Sequence, residues 1–275
     1  MTTGAPVSSQ PISPVRFRRN ADRLTAGQLD TLRAAFRTMY AIDDDRGYGY
    51  FAGIHGLPLP ISCENAHGTP YFLPWHRAYL YFFERALRDR NPDAGLVWWN
   101  WQTDPERESR LPEPYRKARV GGKANPLYSA KVPKLALDQA RRSGLQVSAT
   151  TKREIGDSVP LPSRDEVEDV LDRSQFIDFS RALEQLHGRI HGWVGGHMGL
   201  IPFAAFDPVF WAHHTMCDRL WRLWQLRHPG ANPPASILDE ALPPFRMTVR
   251  QTLSVTALGY DYAASTASAG AGVRR

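Results

Sequence analysis

The stretch AHGTPYFLPWHRAYLYFFE, residues 66–84, sets two histidines nine positions apart: His67 among turn formers, His76 at the head of a segment crowded with aromatics. His76, Tyr79, Leu80, Phe83 and Leu87 share one helical face, and Pro74 suits a helix entrance, so the spacing predicts a helix from about Trp75 to Arg90, ended by Asn91-Pro92. An imidazole on the apolar side of such a helix is bound for the core, where a polar group needs a partner.

Three further helices follow from the same periodicity. Thr25-Ala26-Gly27-Gln28 has capping-box spacing, and Leu29, Leu32, Phe36 and Met39 then recur on one face. Over 176–194, Phe176, Phe179, Leu183, Ile190 and Val194 form a stripe that also carries His187 and His191. The fourth helix runs from about Pro208 to Arg227, with Phe210, His214, Trp221 and Trp224 inward before His228-Pro229-Gly230 stops it. Three of the four carry histidine on the apolar side. Between them, the apolar run GLVWWNW (95–101) packs as strand or coil. Residues 102–172, rich in Pro, Gly, Lys and Arg, read as a long surface excursion with two short helices, one near 134–143. Residues 1–20 read as an extended arm, 21–262 as a single domain and 263–275 as a disordered tail.

Composition narrows the function. The 275 residues, 42% hydrophobic and 23% charged, suit one large globule that buries a substantial core. The formal charge of +6 comes from 34 basic and 28 acidic side chains spread along the chain, without the basic stripe of a nucleic-acid-binding module. Cys63 and Cys217 are too few for a disulfide framework, and the first 20 residues lack the apolar run of a secretory signal, so a cytoplasmic location is the expectation. No run approaches the roughly 18 apolar residues of a membrane-spanning helix.

Nine histidines stand at 55, 67, 76, 187, 191, 197, 213, 214 and 228. A single histidine on an apolar face is most often a satisfied core residue; the grouping is what speaks for a metal. His187 and His191, four apart on a helix, direct both rings to one point. His213 or His214 supplies a third nitrogen, and the helical period does not choose between them. His55, His67 and His76 offer a second set of three, the first two held by Gly and Pro turns in loops. Three imidazoles leave positions open on a metal, as a reactive site requires. Facing helices of a bundle place two such metals near each other. All-imidazole ligation suits copper, zinc, iron or nickel. A di-iron carboxylate bundle would use Glu64-x-x-His67 and Glu184-x-x-His187, but the surroundings of Glu64 are loop formers, two further carboxylates are missing, and His76, His191 and His214 would be left over. A copper pair is the better reading.

The segments HGTPYFLPWHRAYLYFFE and LHGRIHGWVGGHMG…DPVFWAHHTMCDRLW resemble the copper A and copper B signatures of type 3 copper proteins: tyrosinases, catechol oxidases, o-aminophenol oxidases and molluscan haemocyanins. The resemblance covers roughly residues 15–105 and 176–228. It implies a mainly α fold: a central four-helix bundle holding a dinuclear copper site, with long surface loops and little β structure. It implies two copper ions, copper A on His55, His67 and His76, and copper B on His187, His191 and His214. His213 then stands behind the ligands, and Asp218, one turn after His214, orients a ligand ring. Glu184 resembles the carboxylate that in tyrosinases holds a water assisting phenol deprotonation. Ile201 falls where the family controls access over copper A, and Phe210 resembles an aromatic lining the substrate pocket. Gly188 stands where many monophenol-hydroxylating members have Asn. Cys63, four positions before His67, departs from the Cys-x-His thioether spacing of some relatives, so a free buried thiol is expected, with a thioether to His67 as the alternative. The implied partners are a phenolic or aminophenolic substrate and dioxygen, with a copper chaperone as in some bacterial relatives; the rival reading is a haemocyanin-like oxygen carrier. The carriers have a β domain over the site, and only about 47 residues follow His228 here, so an open catalytic site is the expectation.

Overall fold

The protein is described by a computed structural model over residues 15–59, 63–103, 110–156 and 160–263. The greater part of the expected arm (1–14) and of the expected tail (264–275) lies outside the described residues. Seven α-helices dominate the rest: α1 (Ala26–Tyr40), α2 (Tyr48–His55), α3 (Phe72–Arg90), α4 (Lys134–Arg142), α5 (Arg164–Leu171), α6 (Phe176–Val194) and α7 (Val209–Arg227). Strands are short: β1 (Arg16–Asn20), β2 (Val97–Trp98), the hairpin pair β3 (Arg119–Val120) and β4 (Lys123–Ala124), and β5 (Tyr260–Tyr262).

The predicted helices are present, with differences at their starts. The Thr25 hydroxyl accepts from the Gln28 N–H and the Gln28 side chain accepts from the Thr25 N–H, so α1 opens on the capping box its sequence spells. Helix α3 begins at Phe72 rather than Trp75, because Phe72 and Leu73 are themselves buried and Pro74, as the third helical residue, lacks only an N–H that the first turn leaves unpaired anyway. Helix α6 coincides with the predicted 176–194, and α7 starts one residue after Pro208. Helices α4 and α5 are the two short helices of the excursion.

Two expectations are corrected. His55 closes a helix and does not sit in a loop. Helix α2, YGYFAGIH, escapes sequence reading because it holds two glycines, which disfavour helix, and has no polar face to set a period: most of it is buried. The segment 16–20 of the expected arm is the middle strand of a three-stranded parallel sheet, Arg19 pairing with Val97 on one side and Arg16 with Tyr260 on the other.

Helices α2, α3, α6 and α7 enclose the core. Phe83 of α3 stacks on Trp211 of α7 at 3.6 Å between ring centres and meets Phe51 of α2 at 5.5 Å, while Phe179 of α6 stacks on Trp224 of α7 at 4.7 Å. Helix α1, which carries no histidine, packs outside against α3 and α2. Gly195 ends α6 at φ +60, where a Cβ would lie 2.4 Å from the Glu154 carbonyl oxygen. The chain then turns through two short 3-10 segments, Gly196–Gly199 and Ile201–Phe206, the second packed under α2. That turn brings two carbonyl groups over the histidines.

Candidate metal centre

The six histidines expected as ligands converge in the bundle. His55 comes from the end of α2, His76 from α3, His187 and His191 from one face of α6, His214 from α7, and His67 from the turn after a 3-10 segment at Cys63–Asn65. In the first set, ring centres lie 6.3 Å (His55–His67), 5.8 Å (His55–His76) and 5.2 Å (His67–His76) apart. In the second, the Nε2 atoms form a triangle of 2.9 Å (His187–His191), 3.3 Å (His187–His214) and 3.4 Å (His191–His214). The sets touch where His76 stacks on His214 at 4.5 Å and where His67 faces His187 at 5.4 Å.

The hydrogen bonds say which nitrogen is free. Nδ1 of His55 bonds the Ile201 carbonyl (3.2 Å), that of His76 the Phe72 carbonyl (2.8 Å), that of His191 the Met198 carbonyl (2.7 Å) and that of His67 the Glu184 carboxylate (2.8 Å). Each bond needs the proton on Nδ1 and leaves the Nε2 lone pair for something else. The Nε2 atoms of His55, His67 and His76 are buried and find no partner among the described residues. Burial, reinforced by neighbouring rings, holds His55, His76, His187 and His214 well below the usual imidazole range, and burial brings His191 down to about 4. These are neutral donors, the form that binds metal.

Lone pairs facing one another in a dry core repel unless a cation lies between them. A tetrahedral ion with metal–nitrogen bonds of about 2.0–2.1 Å holds its donors about 3.3–3.4 Å apart, close to two edges of the His187–His191–His214 triangle. The donor set therefore fits a pair of imidazole-bound ions, and the ligand types favour copper over the oxygen-seeking metals.

The other expected site residues are placed as follows. His213 is fully buried, stacks on His187 at 5.0 Å, and has neither nitrogen hydrogen-bonded within the described protein. His214 closes the Nε2 triangle with His187 and His191, and a ring nitrogen of His213 lies within 4.8 Å of the same donors. Among the described residues Asp218 hydrogen-bonds no histidine, where it was expected to orient a ligand ring. Its oxygens are taken by Arg77, by Arg18 (2.9 Å) and by the hydroxyls of Tyr260 (2.7 Å) and Tyr262, because two buried guanidinium groups attract a carboxylate more strongly than a neutral ring. Glu184 accepts from His67 and from the Gly68 N–H (2.8 Å) through one oxygen. Phe210, expected beside the substrate, is fully buried beneath the rings, 4.1 Å from His214 and 4.8 Å from His55. Ile201 is 56% exposed while its carbonyl holds His55, and Gly188 is exposed on α6 with nothing within 4 Å of where a Cβ would stand. His197 and His228 pin loops, bonding Lys152 and Ser148 and the Leu171 carbonyl respectively.

Cys63 is a free, buried thiol as expected, donating to the His55 carbonyl, with its sulfur near the donor atoms of His55 and His67. Burial pushes it up to about 12, so it is a thiol and not a thiolate ligand. What sequence reading missed is the set of groups behind the ligands: the three carbonyls, and the ionic knot of Arg18, Arg77, Glu84 and Asp218. The signal was there in part, since Arg77 and Glu84 interrupt the apolar α3 and demand partners. A cavity of about 1180 Å³ lies elsewhere, between Ile42–Tyr50 and the excursion; no histidine lines it. No described helix is long and apolar enough to cross a membrane.

Known proteins place this geometry. The family model for the common central domain of tyrosinase matches residues 45–227, which span all six histidines. Tyrosinase of Streptomyces glaucescens is 37% identical over 239 residues, covering 78% of this chain and 84% of that protein. Haemocyanin 1 of Megathura crenulata is 32% identical over 226 residues, 76% of this chain; the chain spans only 6% of that protein's length. Among solved structures, a functional unit of octopus haemocyanin superposes with a TM-score of 0.75 at 27% identity, covering 90% of this chain and 68% of that one. With the motifs, the bundle and the matched region in agreement, the chain belongs to the tyrosinase family of type 3 copper proteins.

Proposed function

We propose that the protein is a dicopper oxidase that converts o-diphenols or o-aminophenols to o-quinones or quinone imines, with dioxygen as the oxidant. Two copper ions on the six imidazoles would bind dioxygen and exchange two electrons with a substrate that gives up two. His55, His67 and His76 would hold one ion, and His187, His191 and His214 the other. The protein's own part is positional. Carbonyls of Ile201, Phe72 and Met198 and the Glu184 carboxylate fix the orientation of four of the six rings, His55, His76, His191 and His67, so that their Nε2 atoms are presented without rearrangement. Phe210 keeps the floor between the sets dry.

The observation that carries the reading is the rim. The His67 side chain is 24% exposed and His191 is partly exposed, and Ile201 and Gly188 face solvent, so the edge of the centre reaches the surface and offers the side on which an aromatic substrate would arrive. Gly188 offers no side chain there to help the Glu184 carboxylate fix a water, which disfavours deprotonation of a monophenol. Substrates whose two hydroxyls, or hydroxyl and amine, already suit two-electron oxidation need no such step.

Kinship with haemocyanins supports one alternative, reversible oxygen carriage by the same histidines. Oxygen uptake by copper-loaded protein separates the two. Uptake with catechol and o-aminophenol, at one dioxygen per two substrates, and a long lag or silence with tyrosine are expected. Oxygen binding with no uptake on any phenol overturns catalysis in favour of carriage.

A further inference from the structure

We propose that Glu184 is the positioning residue of His67, a strut that hangs a ligand of one copper set from the helix that carries the other. The inference rests on the two-set reading above.

His67 differs from the other five ligands in how it is held. His76, His187, His191 and His214 are placed by helices, and His55 closes one; His67 lies in a turn. Within the described residues, it alone of the six has its Nδ1 held by a side chain; three others bond backbone carbonyls. The turn is shaped for that grip: Gly68 stands at φ +68, a conformation natural to glycine, and its N–H joins His67 Nδ1–H on the same carboxylate oxygen, both at 2.8 Å. Glu184 sits on α6, three residues before His187, so the donors of the two sets are tied through one helix. His67 and His187 face each other at 5.4 Å across that tie. Two converging donors on one acceptor fix both the ring's rotation and the turn's height, leaving Nε2 aimed inward. The grip engages one oxygen of the carboxylate, so the strut is compatible with the expected water-holding role at the other.

Copper stoichiometry and spectra test the idea without substrate, so the result stands apart from whether catechol is oxidised. Purified Glu184→Ala, Glu184→Gln, His67→Ala and the His67→Ala/Glu184→Ala double variant would be titrated with copper, with metal-free melting curves as the control for folding. Glu184→Ala should weaken one of the two sites about 10- to 100-fold and turn the coupled, EPR-silent pair into the signal of a lone cupric ion. Glu184→Gln keeps an acceptor oxygen in place and should retain both ions. The double variant should bind as His67→Ala does, since a strut has no effect once its load is gone. The proposal is overturned if Glu184→Ala binds both ions as tightly as the parent, if Glu184→Gln fails as badly as Glu184→Ala, or if the double variant loses more than His67→Ala.

Discussion

Helices α3 and α7 carry two buried polar centres, one residue apart on α3 (His76, Arg77) and one turn apart on α7 (His214, Asp218), and they are built on opposite principles. Around Asp218 the described acceptor and donors close on one another: Arg18 bridges Asp218 and Glu84, Glu84 also takes the Leu96 N–H, and Arg77 reaches the Thr252 carbonyl and lies 3.6 Å over the Trp221 ring. Around the histidines, the Nε2 atoms of His55, His67 and His76 find no partner among the described residues, and those of His187, His191 and His214 meet only one another. A buried polar group satisfied by the protein is structure, whereas one presented and left open awaits a ligand. The ionic knot joins β1 and β5 to the two ligand helices, so satisfied polarity holds the scaffold on which unsatisfied polarity is displayed.

If that contrast is right, the two centres fail differently. His191→Ala should remove one copper of the pair and take catechol oxidation to background while the chain stays folded; His228→Ala, whose ring only bonds the Leu171 carbonyl, should keep both. Equal copper and activity in the two variants would break the site assignment. Asp218→Ala should do the reverse. It leaves Arg77 in the core without a carboxylate and Arg18 with Glu84 alone, a loss of about 3–5 kcal/mol, seen as a lower urea midpoint of the metal-free protein. An Asp218→Ala variant of parental stability whose copper spectrum alone changes would return Asp218 to a ligand-orienting role.

Acid should sharpen the comparison. The buried histidines have folded-state values below the ordinary 6.5, His191 near 4, so between those limits the unfolded chain binds protons that the native chain refuses, and stability falls as pH falls. Burial alone would raise Asp218, but Arg77 and Arg18 outweigh it and hold the carboxyl below its usual range, so its contribution is present above about 3.8 and is lost only further down. Metal-free protein should thus lose melting temperature from pH 6.5 toward 4, with a separate loss below; a flat profile through the first window would contradict neutral, buried rings.

The contrast also explains what could be read beforehand. Of the six candidate ligands, His76, His187 and His191 were legible from imidazoles on apolar stripes, His214 was chosen over His213 by the resemblance, and His55 and His67 were read from their Gly and Pro turns; four long helices were legible because their stripes are regular. Helix α2 was hidden by burial on most sides, which erases the period. The roles of Asp218 and Glu184 were hidden for another reason: each partner lies far off in the chain, Arg18 some 200 residues from Asp218 and His67 some 117 from Glu184, and one sequence contains no signal for such pairs. The middle strand β1 looked like an arm because Arg18, a charge at its centre, is buried only by virtue of those partners.

The smallest expected effect concerns the rim. Gly188→Asn places a side chain in open space on an exposed helical turn, where glycine and asparagine differ in helix propensity by only a few tenths of a kcal/mol, so stability and copper content should not change measurably. Any change in chemistry then belongs to the new amide beside the donors. Asparagine adds a carboxamide able to fix a water near Glu184, and the expected outcome is a shorter lag with tyrosine while the rate with catechol stays within about twofold, an energy difference below RT and too small to signal a rearranged site. A parental lag in a variant with parental copper would mean that the glycine does not set the lag, and that the grip of Glu184 on His67 and Gly68 is the next place to look.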